Sequence, residues 1–144
     1  MNIDSIRTGY VIDHITAGKG MELYRLLGLE GLSCPIAIIQ YAPSGKMGKK
    51  DIIKIDADMP LNVDVIGFVD PGATVNIIRD GQLVEKKIID MPRTLRNVVK
   101  CKNPRCITSV EQELDHVFRL TDKEKKVYRC IYCDTKNGLK NASV

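Results

Sequence analysis

Tryptophan is absent from this sequence, and phenylalanine occurs only at Phe68 and Phe118. So few large rings argue against a protein that reads nucleic acid by stacking bases on aromatic side chains. No apolar run approaches the length that crosses a bilayer as a helix, so no membrane role is expected. The opening MNIDSIRTGYVIDHI has no basic segment followed by an apolar core. A secretory leader is therefore not expected, and the expected location is cytoplasmic. TAGKG and SGKMGKK carry glycine and lysine but do not complete G-x-x-x-x-G-K-[ST], which disfavours a nucleoside-triphosphate hydrolase. No serine or cysteine has the local setting of an activated nucleophile.

What is present suits a folded, soluble chain. Of 144 residues, 44% are hydrophobic and 28% charged. That length allows one ordinary domain or two small ones. Charge is uneven along it. Residues 1–90 hold 10 Lys and Arg against 12 Asp and Glu, whereas residues 91–144 hold 12 against 6. Pro92 stands at a natural boundary just before the cysteine-bearing region. We divide the chain into residues 1–91 and residues 92–144.

The first part alternates short element signals. GYVIDHI, rich in β-branched residues, reads as a strand. GMELYRLLGL (Gly20–Leu29) reads as a helix, with Leu23, Leu26 and Leu27 at i, i+3 and i+4 and Gly28 as its stop. CPIAIIQYA and KKDIIKID read as strands joined by the loop PSGKMG. Cys34 is expected to be a small core residue of the first of these. MPLNVDVIGFVDP reads as one helical turn followed by a strand at Ile66–Val69. TVNIIRDGQLVEKK is a hairpin, because Asp80-Gly81 suits the two positive φ angles of a type I′ turn. The order β-α-β-β-(α)-β-β predicts an α+β fold: a ferredoxin-like antiparallel sheet with helices on one face. In the second part, Pro92–Asn97 reads as a helical or turn segment. HVFRL and KVYRCIYC follow as strands of a small all-β, zinc-ribbon-like domain.

Four of the five cysteines carry the strongest signal. They lie at Cys101, Cys106, Cys130 and Cys133, spaced C-x4-C, then 23 residues, then C-x2-C. Each close pair can turn two sulfurs toward one ion, and two such pairs complete a tetrahedron around Zn²⁺. An iron–sulfur centre and uncomplexed thiols are the other chemistries open to this pattern. Four thiolates leave no open position for water, so the expected role of one Zn²⁺ per chain is structural. They also change the charge balance. The net +6 of residues 91–144 falls to about +4 once four thiolates surround one Zn²⁺, which weakens the case for nucleic acid. His116 lies between the pairs and reads as a satisfied surface residue.

A cationic pattern stands out in the first part. Alternation in KKDIIKID puts Lys50, Ile52, Lys54 and Asp56 on one face, with Lys50 and Lys54 about 13 Å apart. Lys86 follows on the hairpin, and Lys54 and Lys86 are both expected to be exposed. Asp13 and His14 are adjacent. Neighbours on a strand point to opposite faces, so these two share a site only where the strand ends. A solvated charged face and a polyphosphate-binding face are both consistent with this pattern.

GYVIDHI, PSGKMGKKDIIKI, ATVNIIRDGQLVEK and the paired cysteines, in this order and spacing, resemble the regulatory chain of aspartate carbamoyltransferase. The resemblance runs from about Ile3 to past Cys133. It implies a chain without catalytic activity that binds ATP, CTP and UTP in its N-terminal domain. Its zinc domain would bind the catalytic chain, in a holoenzyme of two catalytic trimers joined by three regulatory homodimers. Pyrimidine synthesis is the pathway this implies. Carried over by motif, Asp13 and His14 would face ribose and phosphates. Lys50, Lys54 and Lys86 would supply positive charge. Ile3, Asp4, Ile6 and Val11 would surround the base, and Asn76, Ile78 and Leu83 would complete the pocket. Cys101, Cys106, Cys130 and Cys133 would hold zinc. The resemblance also implies a homodimer, and the uncharged strand CPIAIIQY is the expected place for two copies to pair. From the residues alone, a zinc-ribbon nucleic-acid-binding protein and a zinc enzyme are the competing classes. The first is weakened by Glu111, Glu113, Asp115 and Glu124 among the basic residues, the second by the closed ligand set.

Overall fold

The computed structural model describes residues 6–138; Ile3 and Asp4, expected to surround a base, lie outside them. The chain forms two compact units, one ending at Asp90 and the other beginning at Met91.

The first unit contains β1 (Gly9–Thr16), α1 (Gly20–Leu26), a single 3-10 turn (Leu29–Gly31), β2 (Ile36–Ser44) and β3 (Gly48–Ile55). It continues through α2 (Val63–Val69), β4 (Thr74–Arg79) and β5 (Gln82–Ile88). The strands form one antiparallel sheet in the order β2-β3-β1-β4-β5. Both helical connections skip one strand: α1 carries the chain over β3, and α2 carries it over β1. The two crossovers run in opposite directions from antiparallel strands. The right-handed rule therefore puts both helices on the same face, where α1 and α2 touch. This is the ferredoxin-like arrangement with a fifth strand added by the β4–β5 hairpin.

Ladder partners share a face, so the register sorts the side chains. Ile12 lies opposite Ile53 on one side and Val75 on the other. Those three residues, with Ile55, are buried on the helix side. Leu23 of α1 and Ile66, Phe68 and Val69 of α2 are buried as well. Asn62 caps α2 by accepting the Asp64 N–H at 3.1 Å. The expected strand at Ile66–Val69 is thus part of a helix. Four of α2's seven residues (Val65, Ile66, Phe68 and Val69) are buried apolar groups, and an apolar run that short does not reveal its period. The helix expected at Gly20–Leu29 ends at Leu26, and Gly28 adopts the left-handed φ of 71°. Cys34 precedes β2 and is half-buried, not a strand core residue. The Asp80-Gly81 turn has φ of 51° and 75° and joins Arg79 to its partner Gln82, as a type I′ hairpin requires.

Bulges in β1 and β2 interrupt the alternation. β1 inserts one residue between Ile12 and Ile15, with His14 at φ 58°, and β2 inserts one between Ile39 and Ala42, with Tyr41 at φ 56°. A buried carboxylate sits beside both. Asp51 on β3 pairs with Ile15 and accepts N–H bonds from Gly18 (3.0 Å), Gly20 (2.9 Å) and Tyr41 (2.9 Å). It thereby ties the β1–α1 turn and the β2 bulge to the middle of the sheet.

The second unit is a four-stranded antiparallel sheet in the order β6-β7-β8-β9. Its strands are β6 (Thr94–Arg96), β7 (Val117–Asp122), β8 (Val127–Cys130) and β9 (Lys136–Gly138), with a one-turn α3 (Ile107–Val110). The segment Pro92–Asn97, expected to be helical or a turn, contains strand β6, because Leu95 pairs with Phe118 and both are fully buried. The Tyr128 hydroxyl donates to the Pro92 carbonyl at 2.7 Å. Among the described residues, no helix is long and apolar enough to cross a membrane.

The role of Asp51 leads to a direct test. Asp51→Asn replaces one acceptor oxygen with a donor facing N–H groups. It should lower the stability of the first unit by about 2–4 kcal/mol, since bonds to a charged group contribute about 1.5–3 kcal/mol each and buried unmet donors are costly. Urea unfolding monitored on the full chain measures the loss; a shift within error would remove Asp51 from this role.

Candidate functional site

The face of the first sheet away from the helices collects the residues singled out from the sequence. Val11 lies opposite Lys54 on one side and Asn76 on the other, and Asn76 lies opposite Lys86. One row across four strands therefore reads Lys54, Val11, Asn76, Lys86, with its ends about 15 Å apart. Ile78 and Leu83 are partners one position along, because β5 carries a bulge there. Ile6, Val11 and Ile52 are buried together, with Ile39, Ala42 and Ile78 packed against them. Leu83 and Lys86 are exposed.

Asp13 and His14 reach this same face together, contrary to strict alternation. The extra residue in β1 is the reason. Asp13 pairs with Thr74, and the His14 ring Nδ1 lies 2.9 Å from Thr74 Oγ1. Lys50 makes a 3.0 Å ion pair with Asp13. The bulge also turns Ile15 to the helix side, where it is fully buried with Ile12. The convergence thus occurs within the strand and not only at its end.

Lys54 departs most from expectation. It is 2% exposed, not a surface residue, and its Nζ has no hydrogen-bond partner among the described residues. The Asn76 side-chain oxygen is likewise buried without a partner. A buried ammonium without a counter-charge is costly in a finished core. Lys54 sits beside the buried Val11, on the same face as the half-buried Asp13–Lys50 pair.

In the second unit, Cys101, Cys106, Cys130 and Cys133 bring their sulfurs within 4.8 Å of one another. Cys101 and Cys133 are 3.5 Å apart, and Cys106 and Cys130 are 3.7 Å apart. A tetrahedron with Zn–S bonds of about 2.3 Å has edges of about 3.8 Å, so this donor set fits Zn²⁺. Turns set the sulfurs. The Asn103 side chain accepts the Arg105 N–H and its carbonyl accepts that of Cys106, both at 3.0 Å. In the second pair, Asp134 donates to the Cys130 carbonyl and Cys130 donates to that of Thr135. Burial lifts the Cys101 thiol to about 12 and raises that of Cys130. Burial acts the same way on Cys133, but hydrogen bonds from the Thr135 hydroxyl and amide and from Asn103 outweigh it and bring that thiol to about 6. Full ionisation of the cluster therefore needs a cation between the sulfurs. His116 is not a fifth ligand: its Nδ1 accepts the Cys101 N–H at 3.0 Å, which holds the first ligand in place. Sequence reasoning missed this link, and it missed Thr108 and Thr135, whose hydroxyls each lie 3.1 Å from a cysteine sulfur.

Two family descriptions match the chain. Residues 1–90 match "aspartate carbamoyltransferase regulatory chain, allosteric domain", and residues 93–141 match "aspartate carbamoyltransferase regulatory chain, metal binding domain". Three relatives, each named an aspartate carbamoyltransferase regulatory chain, show the range of similarity. That of Clostridium botulinum is 48% identical over 134 residues, which covers 93% of this chain and 92% of the relative. That of Clostridium tetani is 45% identical over 135 residues, with coverage of 93% and 94%. That of Bifidobacterium longum is 40% identical over 139 residues, with coverage of 96% and 100%.

The cost of burying Lys54 is measurable without a ligand. Lys54→Met keeps most of the stem volume and removes the charge. It should stabilise the first unit by about 1–3 kcal/mol, as replacing a buried charge with an apolar group often does. Denaturant unfolding of both proteins checks the sign; a destabilised variant would show that the ammonium is already compensated.

Proposed function

The chain belongs to the family of aspartate carbamoyltransferase regulatory chains, and from that premise we propose that its two units divide the work of regulation. Residues 1–91 bind nucleoside triphosphates, namely ATP, CTP and UTP. Residues 92–144 hold one structural Zn²⁺ and dock on the catalytic chain, in a holoenzyme of two catalytic trimers and three regulatory dimers. The chain itself performs no carbamoyl transfer.

Lys54, buried and without a hydrogen-bond partner among the described residues, is the observation that carries the nucleotide reading. Its ammonium would gain a phosphate or ribose oxygen as partner when the effector binds. Lys86, at the far end of the row, adds charge to the triphosphate. Lys50 is held by Asp13 and would exchange that carboxylate for a phosphate oxygen, while Asp13 and His14 face the ribose side. Ile6, Val11, Ile78 and Leu83 form an apolar wall for the base, with Ile3 and Asp4 completing it. The buried Asn76 oxygen offers an acceptor to a hydroxyl or an exocyclic amine. An effector shifts the enzyme only by its differential affinity for two quaternary states, typically about 1–3 kcal/mol.

The zinc reading rests on donor chemistry. A closed set of four thiolates folds a unit with a small apolar core and leaves no position for water, so the metal supplies structure and not hydrolysis. Apolar side chains beside the ligands are exposed: Ile107 and Val110 follow Cys106, and Ile131 and Tyr132 lie between Cys130 and Cys133. The metal would hold these side chains in place as the docking surface. For the homodimer, β2 is the edge suited to self-pairing. Ile36–Ser44 has no charged residue, whereas the other edge, β5, carries Glu85, Lys86 and Lys87.

Three measurements test the whole. Calorimetry should show that Lys54→Met and Lys86→Ala each weaken ATP and CTP binding by about 1–3 kcal/mol; unchanged affinity in both would reject the nucleotide face. Sedimentation should give a dimer at micromolar concentration, and a monomer would remove the β2 pairing. Stripping the metal with a mercurial, or lowering the pH so that thiolates protonate, should abolish assembly with the catalytic chain on gel filtration while leaving ATP binding largely intact. Assembly that survives metal removal, or nucleotide binding that collapses with it, contradicts the division of labour.

A further inference from the structure

Each cysteine pair ends in the same local pattern. Cys106 is followed two residues later by Thr108, and Cys133 two residues later by Thr135. In both cases the threonine Oγ1 lies 3.1 Å from the cysteine Sγ; in the thiol form Cys133 Sγ donates to Thr135 Oγ1, whereas either atom can donate between Cys106 and Thr108. The close sulfur contacts then alternate: Cys133, with a hydroxyl, stands 3.5 Å from Cys101, and Cys106, with a hydroxyl, stands 3.7 Å from Cys130. We propose that Thr108 and Thr135 are paired positioning residues of the metal centre, each donating its hydroxyl to its own ligand thiolate, Cys106 and Cys133, once a metal has displaced the thiol proton.

The inference rests on the metal reading above. A metal-bound thiolate carries no proton, so within each Cys–Thr contact the hydroxyl must turn to donate, adding to the backbone N–H groups that already reach the sulfurs of Cys101, Cys130 and Cys133. Donation draws electron density from the sulfur, eases repulsion across the short contact, and fixes the rotamer of the ligand. The two threonines occupy different surroundings. Thr108 is 3% exposed, whereas Thr135 and Cys133 are half-buried. Cys133 is the most open of the four sulfurs, so Thr135 guards the side from which a chelator or an electrophile arrives first.

The test uses the full chain and its Thr108→Val, Thr108→Ser, Thr135→Val and Thr135→Ser variants. Valine keeps the shape and loses the hydroxyl; serine does the reverse. Each valine variant should transfer Zn²⁺ to a chromogenic chelator about 10-fold faster, and each serine variant should stay near the parent rate. With Co²⁺ in place of zinc, the sulfur-to-metal charge-transfer band should move to longer wavelength in the valine variants only. The half-buried Thr135 keeps the test independent of whether Thr108→Val packs well. Unchanged release and an unchanged band in both valine variants would overturn the proposal. So would a serine variant that loses metal as fast as its valine counterpart, since that pattern assigns the effect to the methyl group. Metal stoichiometry by native mass spectrometry separates the two levels: a parent chain that binds no metal overturns the zinc reading and this inference together, whereas a loaded parent with indifferent variants overturns the inference alone.

Discussion

A single extra residue in β1 governs how the first unit is arranged. Between Ile12 and Ile15 the strand takes three steps while β3 takes two. Side chains alternate with period two, so without that insertion Ile15 would leave the helix side and enter the opposite face. With it, Ile12 and Ile15 are buried together, and Asp13 and His14 both join the face that carries Lys50, Lys54, Asn76 and Lys86. Asp51, on the partner strand, absorbs the geometric consequences by accepting three backbone N–H groups around the β1–α1 turn and the β2 bulge. The polar face proposed for binding and the core are thus two outcomes of one register shift.

The cost of that arrangement falls on Lys54. Its neighbours on the row are the buried Val11 and, beyond it, an Asn76 oxygen that also lacks a partner among the described residues. A chain selected only for stability would place an apolar residue there. Local inconsistency of this kind, surrounded by otherwise consistent packing, is what motivates the proposed nucleotide site. The adjacent Asp13–Lys50 pair provides an exchangeable partner, so binding would rearrange an existing ion pair instead of only adding a contact.

The second unit meets a different constraint. Its fully buried large side chains are Leu95, Phe118 and Tyr128, a small core for so short a segment. Four sulfurs at tetrahedral separations supply what burial cannot, and the same turns that aim the sulfurs push Ile107, Val110, Ile131 and Tyr132 outward. A metal held there would couple folding to the presentation of that apolar surface. His116, Thr108 and Thr135 belong to that centre without being ligands.

Much of this was legible in the linear sequence. The cysteine spacing announced the metal centre because ligand pairs need only a tight turn, which is local. Asp80-Gly81 announced its hairpin because the positive φ angles it adopts depend on those two residues alone. The order of the elements followed from periodicity. Where periodicity was silent, reading fell short: the buried run Val65–Val69 masks its period, so the segment reads as only one helical turn before a strand, and Leu95 in Pro92–Asn97 becomes a strand residue only through Phe118, some twenty residues away. Tertiary pairing decided the rest. The burial of Lys54, the convergence of Asp13 with His14, and the link from His116 to Cys101 depend on neighbours brought in from distant strands. A bulge is a property of two paired strands, and neither strand's sequence contains it alone.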